Sequence, residues 1–167
     1  IVFGTNDGSV LLASGGDSIP KKLYQHEDKN VLATLIAPKQ NWLISSSMDS
    51  EKSLTVLDLE SQDSLKVMPL ASPLRALTSI DDKFLLASNT RGGLLYWDLN
   101  NLNSPLNELY TNKYPYHSLA YNPKRKWLVA GDGQGELHLF TLNAQGNKLQ
   151  STDNQVFRTK HRGTVSC

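Results

Sequence analysis

Four histidines are the residues of this 167-residue chain with the clearest potential for metal or acid–base chemistry. His26, His117, His138 and His161 stand far apart, and none has another His or a Cys at a spacing typical of zinc ligands. We therefore predict neither a metal nor another cofactor. The one cysteine, Cys167, cannot form an internal disulfide, and the chain has no Asn-x-Ser/Thr acceptor, which together favour a cytoplasmic location.

Two glycine-containing segments need comparison with known catalytic and phosphate-binding motifs. Residues 16–19, Gly-Asp-Ser-Ile, resemble the nucleophile block of GDS-type esterases, in which the serine opens a helix. Here Pro20 follows and the neighbouring residues are typical of turns, so we interpret this segment as a loop. Residues 131–135 are rich in glycine, but they lack the Gly-Lys-Ser/Thr of a phosphate loop and no helix follows. We predict a β-turn there, and no catalytic residue in the chain.

The elements that must carry these residues recur at regular intervals. Residues 84–99 contain two apolar runs separated by a glycine-bearing turn at 89–93, which predicts a β-hairpin. The pattern returns at 41–59 and 126–142, and its later part is present at 1–14. Trp42, Phe84 and Trp127 open the first run and are spaced 42 and 43 residues apart. A period of about 40–45 residues with four strands per unit predicts an all-β fold, a β-propeller of four-stranded antiparallel blades.

The residues at the end of the hairpins resemble those of the WD-repeat (WD40-like) β-propeller family. Trp97-Asp98 is the dipeptide that names the family, and Leu57-Asp58 is a weakened copy. The sequence His161-x-Gly-x-Val is similar to the opening of another repeat. The resemblance covers nearly the whole chain, with degenerate repeats.

In that family a histidine before the inner strand, an aspartate in the hairpin turn, a Ser or Thr and the tryptophan form a hydrogen-bonded set. His26 and His161 match the histidine position, Asp7 and Asp49 match the aspartate, and Trp97 matches the tryptophan. The resemblance implies that these residues, together with Asp98, have structural roles. No repeat contains the whole set.

The resemblance divides the chain into about four blades' worth of sequence. We predict a partial blade at 1–25, blades at 26–71, 72–112 and 113–159, and the start of the next blade at 160–167. In the last full blade we expect a loop at 143–147 and an outer strand at 155–159. We expect the chain to be part of a larger ring, with an open arc of blades, or two chains joined into an eight-bladed ring, as alternatives.

The expected function is that of a scaffold or sensor module of a larger protein, which binds a protein or peptide at the propeller rim where inner strands begin. Arg75, Arg91, Tyr116 and His117 are the predicted partner-binding residues, because Arg and aromatic side chains often anchor interfaces. The net charge of +1 argues against nucleic-acid or membrane binding, and self-association is one way to complete a ring. The alternative is a hydrolase or lyase with its site in the central channel. That site would need several acidic or basic residues on inner strands, of which Arg75 and His117 qualify and no carboxylate joins them.

Overall fold

The computed structural model describes residues 1–16, 19–27, 29–159 and 163–165. Within these ranges the regular secondary structure consists of β-strands, arranged as antiparallel sheets of the kind that form propeller blades, as predicted. No helix in the described ranges is long and apolar enough to cross a membrane. The chain divides into two compact units, Ile1–Leu74 and Arg75–Cys167.

The first unit contains a three-stranded and a four-stranded sheet, each with its strands in chain order. The strands are β1 (Val2–Gly4), β2 (Ser9–Leu12), β3 (Lys21–Gln25), β4 (Val31–Ala37), β5 (Trp42–Ser47), β6 (Leu54–Asp58) and β7 (Ser64–Met68). Leu43 and Leu57 are paired across β5 and β6 and pack with Val10 of β2 in a shared core. Gly4 allows a close approach, because a Cβ there would lie 2.2 Å from Cγ1 of Val31. The two sheets therefore meet face to face with little space between them.

The second unit contains two four-stranded sheets. Their strands are β8 (Leu74–Ile80), β9 (Phe84–Asn89), β10 (Gly93–Asp98), β11 (Asn107–Thr111), β12 (Tyr116–Asn122), β13 (Trp127–Asp132), β14 (Glu136–Gln145) and β15 (Lys148–Arg158). Phe84 and Tyr96 of one sheet share a buried cluster with Leu128 and Phe140 of the other. The rings of Tyr110 and Phe140 meet edge to face, with centroids 5.2 Å apart. The buried cluster between these two sheets is what packs the neighbouring repeats of this unit together.

The hairpin formed by β14 and β15 differs from the prediction. The segment 143–147, predicted to be a loop, lies instead at the end of this hairpin, which turns at Gly146 with φ +57°. A register shift at Thr141 and Leu142 bends the ladder. Leu142 and Leu149 are only 3% exposed and join the buried cluster, and this burial keeps a largely polar segment in a paired sheet.

Glycine is required in the hairpin turns between the central strands. Gly8 and Gly92 have φ of +86° and +91°, and a Cβ on either would lie 2.2 Å from a backbone oxygen, that of His26 or Asn112 respectively. The same two residues donate their backbone N–H groups to the carbonyl oxygens of Gly8 and Gly92, at 2.9 Å each. Each turn is therefore bonded to the chain that leaves the outer strand.

Candidate functional site

The turn of each central hairpin is closed by a side-chain oxygen at the end of its first strand. Asn89 and Asp132 use Oδ1 to accept the backbone N–H groups two and four residues further on, over 2.8 to 3.0 Å. Thr5 accepts the N–H four residues on, and Ser47 accepts the N–H two residues on. The four acceptors are spaced 42, 42 and 43 residues apart. This periodic position was missed by the sequence analysis, although the spacing alone could have identified it.

His26 is a buried structural residue of the first unit. Its ring lies between two partners: Nδ1 is 3.2 Å from the carbonyl oxygen of Lys52, and Nε2 is 2.9 Å from Oγ of Ser45. Because a carbonyl only accepts, Nδ1 carries the proton and the Ser45 hydroxyl donates to Nε2. Burial lowers the pKa of His26 below its usual value, which favours this neutral form.

Asp49 and Asp7 hold turns with their carboxylates. Oδ1 of Asp49 accepts the backbone N–H groups of Glu51 and Lys52, at 2.8 and 3.1 Å. Although burial alone would raise the pKa of Asp49, these hydrogen bonds lower it overall. Asp7 accepts the Thr5 hydroxyl, which does most to lower the pKa of Asp7, and the N–H of residue 9 at 3.1 Å. Neither carboxylate is hydrogen-bonded to His26, so the family's hydrogen-bonded set is present only in part.

Trp97 and Asp98, the dipeptide that resembles the WD motif, also make structural contacts. Trp97 is fully buried, and its Nε1–H donates to the carbonyl oxygen of Ser104 at 2.9 Å, which fixes the connection to β11. Asp98 Oδ1 accepts the backbone N–H of Asn100 at 2.9 Å. His161, predicted to be structural, lies outside the described residues, as do Asp17 and Ser18 of the esterase-like segment.

A second buried polar set in the second unit was not predicted. The Tyr116 hydroxyl is 3.3 Å from His138 Nδ1, and His138 Nε2 is 3.4 Å from Asp132 Oδ2. Asn112 Nδ2 donates to the same carboxylate oxygen at 3.2 Å. Tyr116 and Asp132 are 0% exposed and His138 is 3% exposed. The atoms follow the order of a catalytic triad, but they are buried in the described part of the chain, so we interpret the set as structural.

The same carboxylate belongs to a cluster of metal-ligand types. One potential ligand atom each from Asp132, Glu136 and His138 lie within 4.8 Å of one another. However, the two Asp132 oxygens together accept four hydrogen bonds, and Glu136 Oε1 accepts from Arg158 Nε at 3.1 Å. Oxygens engaged in this way already have the partners that a cation would provide. We interpret the cluster as structural.

Three of the predicted partner-binding residues lie at or near the surface of the second unit. Arg75 and Arg91 are exposed, and His117 is half-buried. Arg75 Nη1 lies 3.3 Å from His117 Nδ1. Burial, and then the charge of Arg75, lower the pKa of His117. The fourth, Tyr116, is fully buried, and its hydroxyl is hydrogen-bonded to His138. Its aromatic ring is therefore part of the core and not of the exposed surface.

Comparison with known proteins agrees with the architecture. No family model matches the chain. It is 25% identical to WD repeat-containing protein 55 of Rattus norvegicus and 26% identical to that of Homo sapiens, each over 157 residues, which are 90% of this chain and 40% of the relative. It is 30% identical to Protein ROOT INITIATION DEFECTIVE 3 of Arabidopsis thaliana over 114 residues, 65% of this chain and 25% of that relative. The chain thus spans 40% or less of the length of these relatives. The predicted resemblance to WD-repeat proteins is confirmed.

Proposed function

We propose that this WD-like chain is a protein-interaction module that binds a protein or peptide through an exposed surface including Arg75, Arg91 and His117. WD-repeat relatives support an interaction scaffold in general. The observation that carries the proposal is how the polar side chains are used. The side chains of the buried His26 and His138 are hydrogen-bonded to residues of their own unit, whereas Arg75 and Arg91 are exposed to solvent. Exposed arginines are frequent anchors of protein interfaces.

The contacts of the second unit favour binding over the alternative of catalysis. A hydrolase or lyase site needs acidic and basic groups that converge on an open space. The carboxylate with an electrostatic effect on His117 is Asp132, which is buried and holds its own turn. We therefore propose that the chain has no catalytic activity. We also propose that it belongs to a larger multidomain protein and is located in the cytoplasm. We also propose no specific binding to nucleic acid or membranes, because the net charge is +1.

Affinity capture followed by quantitative mass spectrometry tests this proposal. The bait is the chain, compared with an Arg75→Glu/Arg91→Glu variant and an Arg125→Glu/Lys148→Glu control that has the same charge change at exposed sites. We expect the unchanged chain and the control to retain the same proteins in similar amounts. With Arg75→Glu/Arg91→Glu the retained amount of these proteins should fall about tenfold or more, which corresponds to about 1.4 kcal/mol of binding free energy. Equal retention by all three baits would refute the proposed surface. Circular dichroism verifies that each bait is folded.

A further inference from the structure

Arg75 and His117 form an unusual pair, because both side chains can carry positive charge and they lie in direct contact. Arg75 extends from β8 and His117 from β12, with 3.3 Å between Nη1 and Nδ1. Among the residues that the structure describes, no carboxylate forms an ion pair with Arg75. The charge of this arginine is therefore not neutralised within the described part of the chain.

The contact determines which hydrogen-bonding groups remain. A guanidinium can only donate, so His117 must accept at Nδ1 and carry its proton at Nε2. The arginine has five N–H donors, of which this contact uses one. In the described ranges, no acceptor is hydrogen-bonded to His117 Nε2. The pair thus presents several N–H donors and no acceptor.

The environment of His117 leaves space beside these donors. A Cβ at Gly133 would lie 3.4 Å from Nε2, so the glycine keeps that side of the ring uncovered. Arg75 is exposed and His117 is half-buried. The donors are accessible to an external group, unlike those of the buried His26 and His138.

We propose that Arg75 and His117 form a carboxylate-binding site, which recognises an Asp or Glu side chain in an acidic peptide segment of a partner. The inference rests on the proposed binding function and specifies the chemistry of the partner. Hydrogen bonds from a guanidinium to a carboxylate are charge-assisted and can be bidentate, which gives both affinity and orientation.

Charge matching selects a carboxylate over a phosphate. At neutral pH the pair carries one positive charge, from Arg75, because His117 is held neutral by burial and by that arginine. One carboxylate balances one charge, whereas a phosphate monoester carries about two negative charges at pH 7. The charged groups that act on His117 are Arg75 and the buried Asp132. A bound carboxylate offsets the field of Arg75, so the pKa of His117 rises on binding and affinity increases as pH falls from 7 to 6.

Nuclear magnetic resonance on the imidazole nitrogens of the full chain tests the site directly. The probes are acetyl-Gly-Glu-Gly-amide, the same peptide with Gln, and the same peptide with phosphoserine. In the free protein we expect His117 to carry its proton on Nε2. We expect the Glu peptide to shift the His117 signals saturably, with a dissociation constant on the order of 1 mM for so small a ligand.

Variants separate the site from general charge effects. Arg75→Gln should weaken binding about tenfold, since it removes a charge-assisted contact. Gly133→Val should also weaken it, because the added side chain covers Nε2. Arg125→Gln, an exposed arginine in the turn at the other end of β12, should leave the affinity unchanged. The absence of a saturable shift with the Glu peptide, or equal shifts with Gln, would overturn the inference.

A phosphoserine peptide that binds about tenfold more tightly than the Glu peptide, a gain of about 1.4 kcal/mol, would also overturn it, in favour of phosphate recognition. If the Glu peptide fails while Arg75→Glu/Arg91→Glu still loses captured proteins, the binding function stands and the carboxylate site is wrong. If the peptide binds at His117 but the captured proteins do not depend on Arg75 and Arg91, the proposed partner surface is wrong and the site remains.

Discussion

Replacing Asp132 with alanine tests whether the buried set of Asp132, His138 and Tyr116 stabilises the second unit. The substitution removes the acceptor of two backbone N–H groups in the turn and leaves His138 Nε2 and Asn112 Nδ2 without their partner. Each lost hydrogen bond to a charged or buried group costs about 1–3 kcal/mol, with partial relaxation, so we expect a loss of about 3–5 kcal/mol. The matched control is Asn89→Ala, which removes two similar turn contacts.

The control isolates the contribution of the buried side chains. Asn89→Ala should cost only about 1–2 kcal/mol, since its Oδ1 accepts turn N–H groups and the position has no buried histidine partner. Asp132→Asn should fall between the two alanine variants, because Asn89 shows that an asparagine can close this turn. Urea unfolding, followed by the fluorescence of the three tryptophans, of which Trp97 and Trp127 lie in the second unit, gives the free energies. If Asp132→Ala costs no more than Asn89→Ala, the link through His138 does not stabilise the fold.

Three further substitutions test other contacts. Burial lowers the pKa of His26 in the folded state, so as the pH falls the histidine of the unfolded chain is protonated before that of the folded chain. The contribution of His26 to stability should therefore be full above about pH 6.5, the usual pKa of histidine, and should decrease at lower pH. Urea titrations from about pH 7.5 to about 5.5 should show a smaller decrease in His26→Gln. Gly92→Ala should destabilise by about 2 kcal/mol or more in the same assay because of its φ and the carbonyl contact, whereas Gly15→Ala, with open space around it, should change little. Trp97→Phe should lower the thermal midpoint, because it removes the bond to Ser104, about 1 kcal/mol, and also leaves unfilled space at a fully buried site; an unchanged midpoint would contradict both contributions.

The strands of the central hairpins could be predicted because their apolar runs and turns repeat at a nearly constant period. β5, β9 and β13, for example, begin at Trp42, Phe84 and Trp127, where the pattern places them. The long hairpin of β14 and β15 could not, since its end is polar and only Leu142 and Leu149 anchor it. Burial of isolated leucines depends on the neighbouring sheet, which a single sequence does not show.

The candidate site shows the same limit. The sequence indicated Arg75, Arg91 and His117 by position in the repeat, but it gave Tyr116 the same role, although this ring is buried. The ladder of β12 and β13 shifts register between Tyr116 and Ser118, so at His117 the simple alternation of a strand does not assign these two neighbours to faces. Which of them faces solvent depends on where the adjacent sheet lies. His138, the buried hydrogen-bond partner of Tyr116, belongs to no sequence motif that would have indicated this contact.

The degenerate repeats suggest how folding and binding are divided among the polar residues. Thr5, Ser47, Asn89 and Asp132 differ in chemistry, yet each supplies an oxygen that accepts a backbone N–H group of the turn that follows it. The fold therefore requires an acceptor at this position and not one residue type, which is why the family's pattern can be lost while the sheets remain. Arg75 meets no such requirement: it is exposed, and its described contact is with another basic side chain. We therefore propose Arg75, and not the residues that hold the turns, for contact with a partner.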